Sequence, residues 1–139
     1  MRFAEVYGLE TIKQKLAASI DGDRLPHAQL YLGAEGSGKL ALAHAVVQYL
    51  YCSDKSEGDS CGVCSSCRKV STLTHPDVHY SFPFTGGNKI SSSNFLEEWR
   101  TINKEGSYFS TEDWMLRIAD NENKAPNITT LETRQILSK

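Results

Sequence analysis

Two sets of residues in the chain have types and spacing suited to chemistry. The first is Gly33-Ala34-Glu35-Gly36-Ser37-Gly38-Lys39-Leu40. Its Gly-x-x-x-x-Gly-Lys spacing is that of a phosphate-binding loop, whose backbone N–H groups cradle phosphate oxygens while the lysine reaches the outer ones. Glycine is needed because the turn uses positive φ and the backbone must approach its ligand closely. The template then asks for Ser or Thr, whose hydroxyl holds Mg²⁺, and here that position is Leu40. Phosphoryl transfer depends on positioning and on a metal that neutralises developing charge. Gly33, Gly36, Ser37, Gly38, Lys39 and Leu40 are therefore expected to form a nucleotide-type site that does not hydrolyse, and whether ATP is held there stays open.

The second set is Cys52, Cys61, Cys64 and Cys67, the only cysteines in the chain. Two-residue spacers turn neighbouring thiolates toward one centre, and four thiolates make the closed tetrahedral set of structural Zn²⁺. Ser53 to Ser60, polar and containing Gly58, is long enough to bring Cys52 back to the other three. Disulfides and a redox Cys-x-x-Cys are the competing readings. Close spacing and a reducing compartment favour metal over the first, and a redox pair leaves the outer cysteines unexplained. His75 and His79 are rival ligands by proximity, but four cysteines already complete a tetrahedron. A closed site has no position for water, so this metal is expected to hold the fold together rather than to catalyse.

Both sites need positioning elements. Ala28 to Leu32 is an apolar segment suited to the strand entering the loop, and Leu40 to Tyr51 is the apolar helix leaving it. Leu9, Ile12, Leu16 and Ile20 recur at helical spacing before Gly22, which predicts an amphipathic helix over Leu9 to Asp21. His27, beside the first strand, is more simply structural than ligand-binding. Val78, Tyr80 and Phe82 alternate with polar residues before Pro83, predicting a second strand. Asn94 with Glu97 reads as a capping box ahead of a helix carrying Phe95, Trp99 and Ile102. Another helix follows Ser110, and Thr129 with Glu132 caps a last one. Trp114 to Asp120 has the outline of a strand ending in an acid, but Arg117 inside it and the acids upstream favour a helix start. Asp120 to Asn127 reads as a loop.

With 139 residues, 40% apolar and 23% charged, the chain is of ordinary globular composition. A net charge of −2 offers no basic face for nucleic acid. Asp54, Glu57 and Asp59 around the cysteines argue against a nucleic-acid-binding zinc module. Met1 to Glu10 has no signal-peptide pattern, and Leu40 to Leu50 is too short to span a bilayer, so a cytoplasmic protein with no membrane contact is expected.

Leu25-Pro26-His27-Ala28, the loop Gly33 to Lys39, the four cysteines and His75-Pro76-Asp77, in that order, resemble the N-terminal AAA+ type domain of bacterial clamp-loader subunits of DNA polymerase III. The resemblance covers Phe3 to about Phe82. It implies an α/β fold, a P-loop NTPase parallel sheet flanked by helices, with an inserted four-cysteine zinc module at 52–67, a helical insertion at 84–139, and a truncated domain. Gamma/tau members of that family carry Thr after the lysine, whereas the loop of delta-prime members is often degraded, so Leu40 brings the resemblance closer to delta prime. The implied role is a subunit that supports loading of the sliding clamp on primed DNA, with gamma/tau and delta as partners and DNA met through the complex. The family's acidic second motif, sensor residues and arginine finger find no counterpart in these residues.

Overall fold

The computed structural model describes residues 1–87, 89–118 and 125–138. They form two compact units, Met1–Val78 and His79–Lys139.

The first unit is built on two helices. Helix α1 spans Glu10–Asp21 and helix α2 spans Lys39–Tyr51. Gly22 ends α1 as its spacing predicts, with its N–H donating to the Ala18 carbonyl and the next N–H, of Asp23, to the Ile20 carbonyl. Leu9 stands just before α1 in the left-handed region, φ 66°, so the helix starts one residue later than the apolar period suggests. Phe3 and Val6, from a 3-10 turn at Phe3–Glu5 and the residue after it, join Ala17, Ile20, Ala41, Leu42, Ala45, Val46 and Tyr49 in one buried cluster. Helix α2 is apolar, as its sequence predicts, but burial does not follow polarity along it. Leu50 is exposed, while the polar His44 and Gln48 are buried. Helix α3, Ser65–Ser71, completes the unit and packs against α2.

The second unit holds α4 (Leu96–Glu105), α5 (Thr111–Ile118) and α6 (Thr130–Leu137); α4 and α5 contribute Trp99 and Trp114 to an aromatic core, and Glu132 of α6 accepts from Ser92 N–H at 2.8 Å. Phe82 stacks on Trp99 at 4.4 Å, and Trp114 meets both rings edge-on at 5.0 and 5.1 Å. The Trp114 indole N–H donates to the Pro83 carbonyl, 2.7 Å. Ser110 and Asp113 cap α5 reciprocally, and Glu132 N–H donates to Thr129 Oγ1 at the start of α6. The Trp114 run is thus helical through Ile118, while Asp120 lies outside the described residues, as do Asn88 and most of the loop predicted for Asp120 to Asn127.

Two expectations need correction. Asn94 and Glu97 do not form a capping box; Asn94 Oδ1 instead accepts from Ser91 N–H, because the serines upstream offer an earlier cap and a 3-10 turn, Ser92–Phe95, precedes α4. The second correction concerns the sheet. Among the described residues no strand ladder forms, and the only pairings are isolated bridges, Ser56 with Asp59 and Phe84 with Asn127. Around Ala28 to Leu32 burial still alternates: Leu30 and Leu32 are 80% and 83% exposed, whereas Tyr31 packs on the core. No backbone–backbone hydrogen bond among the described residues involves 25–33. The side-chain pattern of a strand is present without the neighbour that defines one, since a ladder is a property of two segments.

Candidate functional site

The glycine-rich stretch Gly33 to Lys39 lies between the Ala28 to Leu32 segment, which forms no ladder, and the first turn of α2. Gly36 and Gly38 take φ of +74° and +79°, the left-handed conformations that side chains disfavour. At Gly33 a Cβ would lie 2.6 Å from Ser37 Oγ, so glycine is what lets the loop close on itself. The first amides of α2 have no carbonyl partners within the helix and carry the positive end of its dipole, which suits an anion. Lys39 Nζ donates to the Ala34 carbonyl at 2.9 Å, folding its charge over the loop. Leu40 is half-buried on the first turn and offers no oxygen. A groove of about 650 Å³ beside the loop is lined by Leu9, Leu16, Leu30, Leu32, Gly33 and Lys39 among others. His27 is exposed and is not among the lining residues.

At the other end of α2 the four cysteines converge. Cys52 ends that helix, Cys64 caps α3, and Cys67 lies inside α3. Their sulfurs all fall within 4.8 Å of one another. Cys52 Sγ and Cys61 Sγ are 3.6 Å apart, Cys61 Sγ and Cys67 Sγ 4.0 Å. A tetrahedron of thiolates at the usual Zn–S length has edges of about 3.8 Å, whereas a disulfide needs sulfurs at about 2.0 Å. All four cysteines are free. The donor set fits a thiophilic metal ion.

Hydrogen bonds already favour thiolates here. Cys61 N–H points at Cys52 Sγ (3.3 Å), Cys64 N–H at Cys61 Sγ (3.3 Å) and Cys67 N–H at Cys64 Sγ (3.4 Å). The Cys67 amide, then the backbone and hydroxyl of Ser53, hold the Cys64 thiol down at about 5. Burial, with Cys64 and Cys52 close by, pushes the Cys67 thiol up. Four adjacent sulfurs cannot all carry charge unless a cation joins them, and a divalent ion removes that opposition. His75 stays outside the cluster, its ring 4.4 Å from that of Tyr51 and its Nδ1 accepting from Asp77 N–H. His79 belongs to the second unit. Ser53, which hydrogen-bonds Cys64, carries no sequence signal beyond lying between the cysteines.

Comparison with known proteins bears on what these two sites belong to. Residues 8–126 match the family model described as DNA polymerase III, delta subunit. The chain belongs to that family. It is 33% identical over 91 residues to the DNA polymerase III subunit delta' of Escherichia coli K12, covering 66% of this chain and 27% of that protein. The delta' subunit of Bacillus subtilis is 33% identical over 72 residues, covering 52% and 22%. The gamma/tau subunit of Mycobacterium tuberculosis H37Rv is 38% identical over 65 residues, covering 47% and 11%. The chain thus spans between about a tenth and about a quarter of the length of these relatives. No solved structure matches it. Family membership extends to residue 126, past Phe82 where the motif resemblance stops. Among the described residues no helix is long and apolar enough to cross a membrane.

Proposed function

We propose that the chain is part of a delta-prime-type subunit of the DNA polymerase III clamp loader. In this reading it supports loading of the sliding clamp on primed DNA without hydrolysing ATP itself. The observation that carries the reading is Leu40: the loop has its glycines in left-handed conformations and its lysine in place, but the first turn of α2 presents a side chain with no Mg²⁺ ligand. Similarity to delta' subunits supports the assignment. The partners are the gamma/tau and delta subunits, DNA is reached through the complex, and the protein works in the cytoplasm. Cys52, Cys61, Cys64 and Cys67 hold one structural Zn²⁺ in a module at 52–67. Ala28 to Leu32 becomes a strand of a parallel AAA+ type sheet when neighbouring strands pair with it, and 84–139 is a helical insertion.

A second reading, an active ATPase of the gamma/tau type, draws on the geometry of the loop and on similarity to gamma/tau subunits. One experiment separates them. The protein is purified alone and with its partner subunits, and Mg²⁺-dependent phosphate release is compared with that of Lys39→Ala. The proposal expects no turnover by the isolated protein and an unchanged rate in the complex when Lys39 is replaced. Turnover that disappears with Lys39→Ala establishes the second reading.

A further inference from the structure

We propose that Asp59 is a positioning residue of the metal centre, coupling metal occupancy to docking of the N-terminal segment Met1 to Val6; the proposal rests on the metal-binding reading above. Residues 52–67 are tied to the far N-terminus by one carboxylate. Asp59 Oδ1 accepts from Phe3 N–H and Oδ2 from Ala4 N–H, each at 2.9 Å, while Oδ1 also accepts from Ser60 N–H at 2.7 Å. These amides open the 3-10 turn and have no carbonyl partner within it. The carboxylate supplies one from 55 residues away in sequence.

Asp59 is held in turn by the loop it belongs to. Ser56 and Asp59 exchange backbone hydrogen bonds across Glu57 and Gly58, whose φ values of +52° and +74° make a tight hairpin turn. Ser60, next along, accepts from Gln48 Nε2 on α2 at 3.1 Å, and Gln48 Oε1 accepts from the Met1 amine at 2.8 Å. Arg2 lies against Gly62, where an added Cβ would come within 3.1 Å of its Cδ. Cys61 stands between Ser60 and Gly62, so the stretch that presents one sulfur also grips the N-terminal turn from both sides. Metal binding fixes Cys61 relative to Cys52, Cys64 and Cys67, and therefore fixes Asp59. Docking of Phe3 and Val6 into the core in turn restrains the loop on the metal side, and such linkage must be reciprocal.

The test uses amide hydrogen exchange on the whole chain, with one zinc equivalent and after stripping with a chelator, alongside zinc affinity by competition with a chromogenic chelator. The expected result is exchange of the Phe3 and Ala4 amides at least about tenfold faster in the stripped protein, with α1 amides unchanged. Zinc-loaded Asp59→Ala should show the same loosening and bind zinc about tenfold more weakly, in the range seen when supporting residues of metal sites are removed. Asp59→Asn, which keeps one acceptor, should fall between. Stoichiometric zinc with Phe3 and Ala4 protection unchanged on stripping overturns the coupling alone. Loss of protection throughout α1 also overturns it, since the effect is then global. Failure to bind zinc overturns the metal reading and the coupling together.

Discussion

Helix α2 joins two sites of opposite character. At its C-terminal end Cys52, Cys61, Cys64 and Cys67 come together within a short stretch, and their sulfurs reach within 4.8 Å of one another using residues of the first unit alone. At its N-terminal end the loop is shaped, with Gly36 and Gly38 at positive φ, yet the segment leading into it leaves Leu30 and Leu32 bare. The contrast separates two ways of organising a site. Ligands drawn from neighbouring residues need only the right local turns. A loop hung on a strand is complete only when other strands join, and those come from distant sequence.

The strongest challenge to this contrast is removal of the metal end. Cys67→Ser takes away a buried sulfur from α3 and should reduce bound zinc to well under one equivalent in reduced protein, with α3 and the end of α2 losing structure. Structural zinc sites contribute on the order of 10 kcal/mol to the folding they organise. Stoichiometric zinc in the mutant, measured by metal analysis, would show that the site tolerates three thiolates and does not close locally.

The shaft between the two ends carries the next effect. Burial, and secondarily the Met1 amine, hold the His44 imidazole down at about 4, against 6.5 when free. The unfolded chain therefore takes up a proton first as pH falls. Stability is complete above about pH 6.5 and is lost as pH drops toward 4, in total about 3 kcal/mol. Urea unfolding at pH 7 and pH 4.5 of wild type and His44→Leu isolates this term, since acid-driven metal release affects both. Equal slopes would mean that His44 is not buried in its neutral form.

How much was legible follows the same division. The two glycines, the lysine and the four cysteines could be read because their chemistry depends on close spacing, and the ends of α1 and α5 because Gly22 and Ser110 act within one turn. Asp59 could not be read, since its partners Phe3 and Ala4 are far away in sequence and nothing in an Asp-Ser-Cys stretch marks an acceptor. At Ala28 to Leu32 the sequence predicts a strand, and the structure shows only alternating burial without a ladder, because alternation is local whereas pairing is not. Asn94 misled for a smaller reason: in Ser-Ser-Ser-Asn, several residues compete to cap, and packing chooses among them.

Leu40→Thr sharpens the contrast at the phosphate end. Because Leu40 is only half-buried, the cost in stability should be about 1 kcal/mol. Mg²⁺-nucleotide binding, followed by titration with a fluorescent nucleotide, should strengthen without fast hydrolysis. If wild type and mutant both stay folded and neither binds at millimolar nucleotide, Gly33 to Lys39 serves only as a turn. The smallest effect belongs to Leu32→Ser, which in this chain should change stability by no more than about 0.5 kcal/mol, as for a largely exposed residue. A loss above about 1 kcal/mol in denaturant unfolding would mean that this face is already covered.

The bridge between Phe84 and Asn127 carries a consequence for how the second unit can vary in length. Two backbone hydrogen bonds, each 3.1 Å, pin the start and finish of the excursion that contains α4 and α5. With its ends pinned, residues added at its outer turns raise the entropy of closing it only logarithmically, by about 0.6 kcal/mol for each doubling. Composition is far less free. Phe82 and Phe84, at the foot of the excursion, are 3% and 0% exposed, and Phe82 is covered by Trp99 and Trp114 from α4 and α5. Descendants of this sequence can therefore gain or lose residues between the helices cheaply, but not the two indoles.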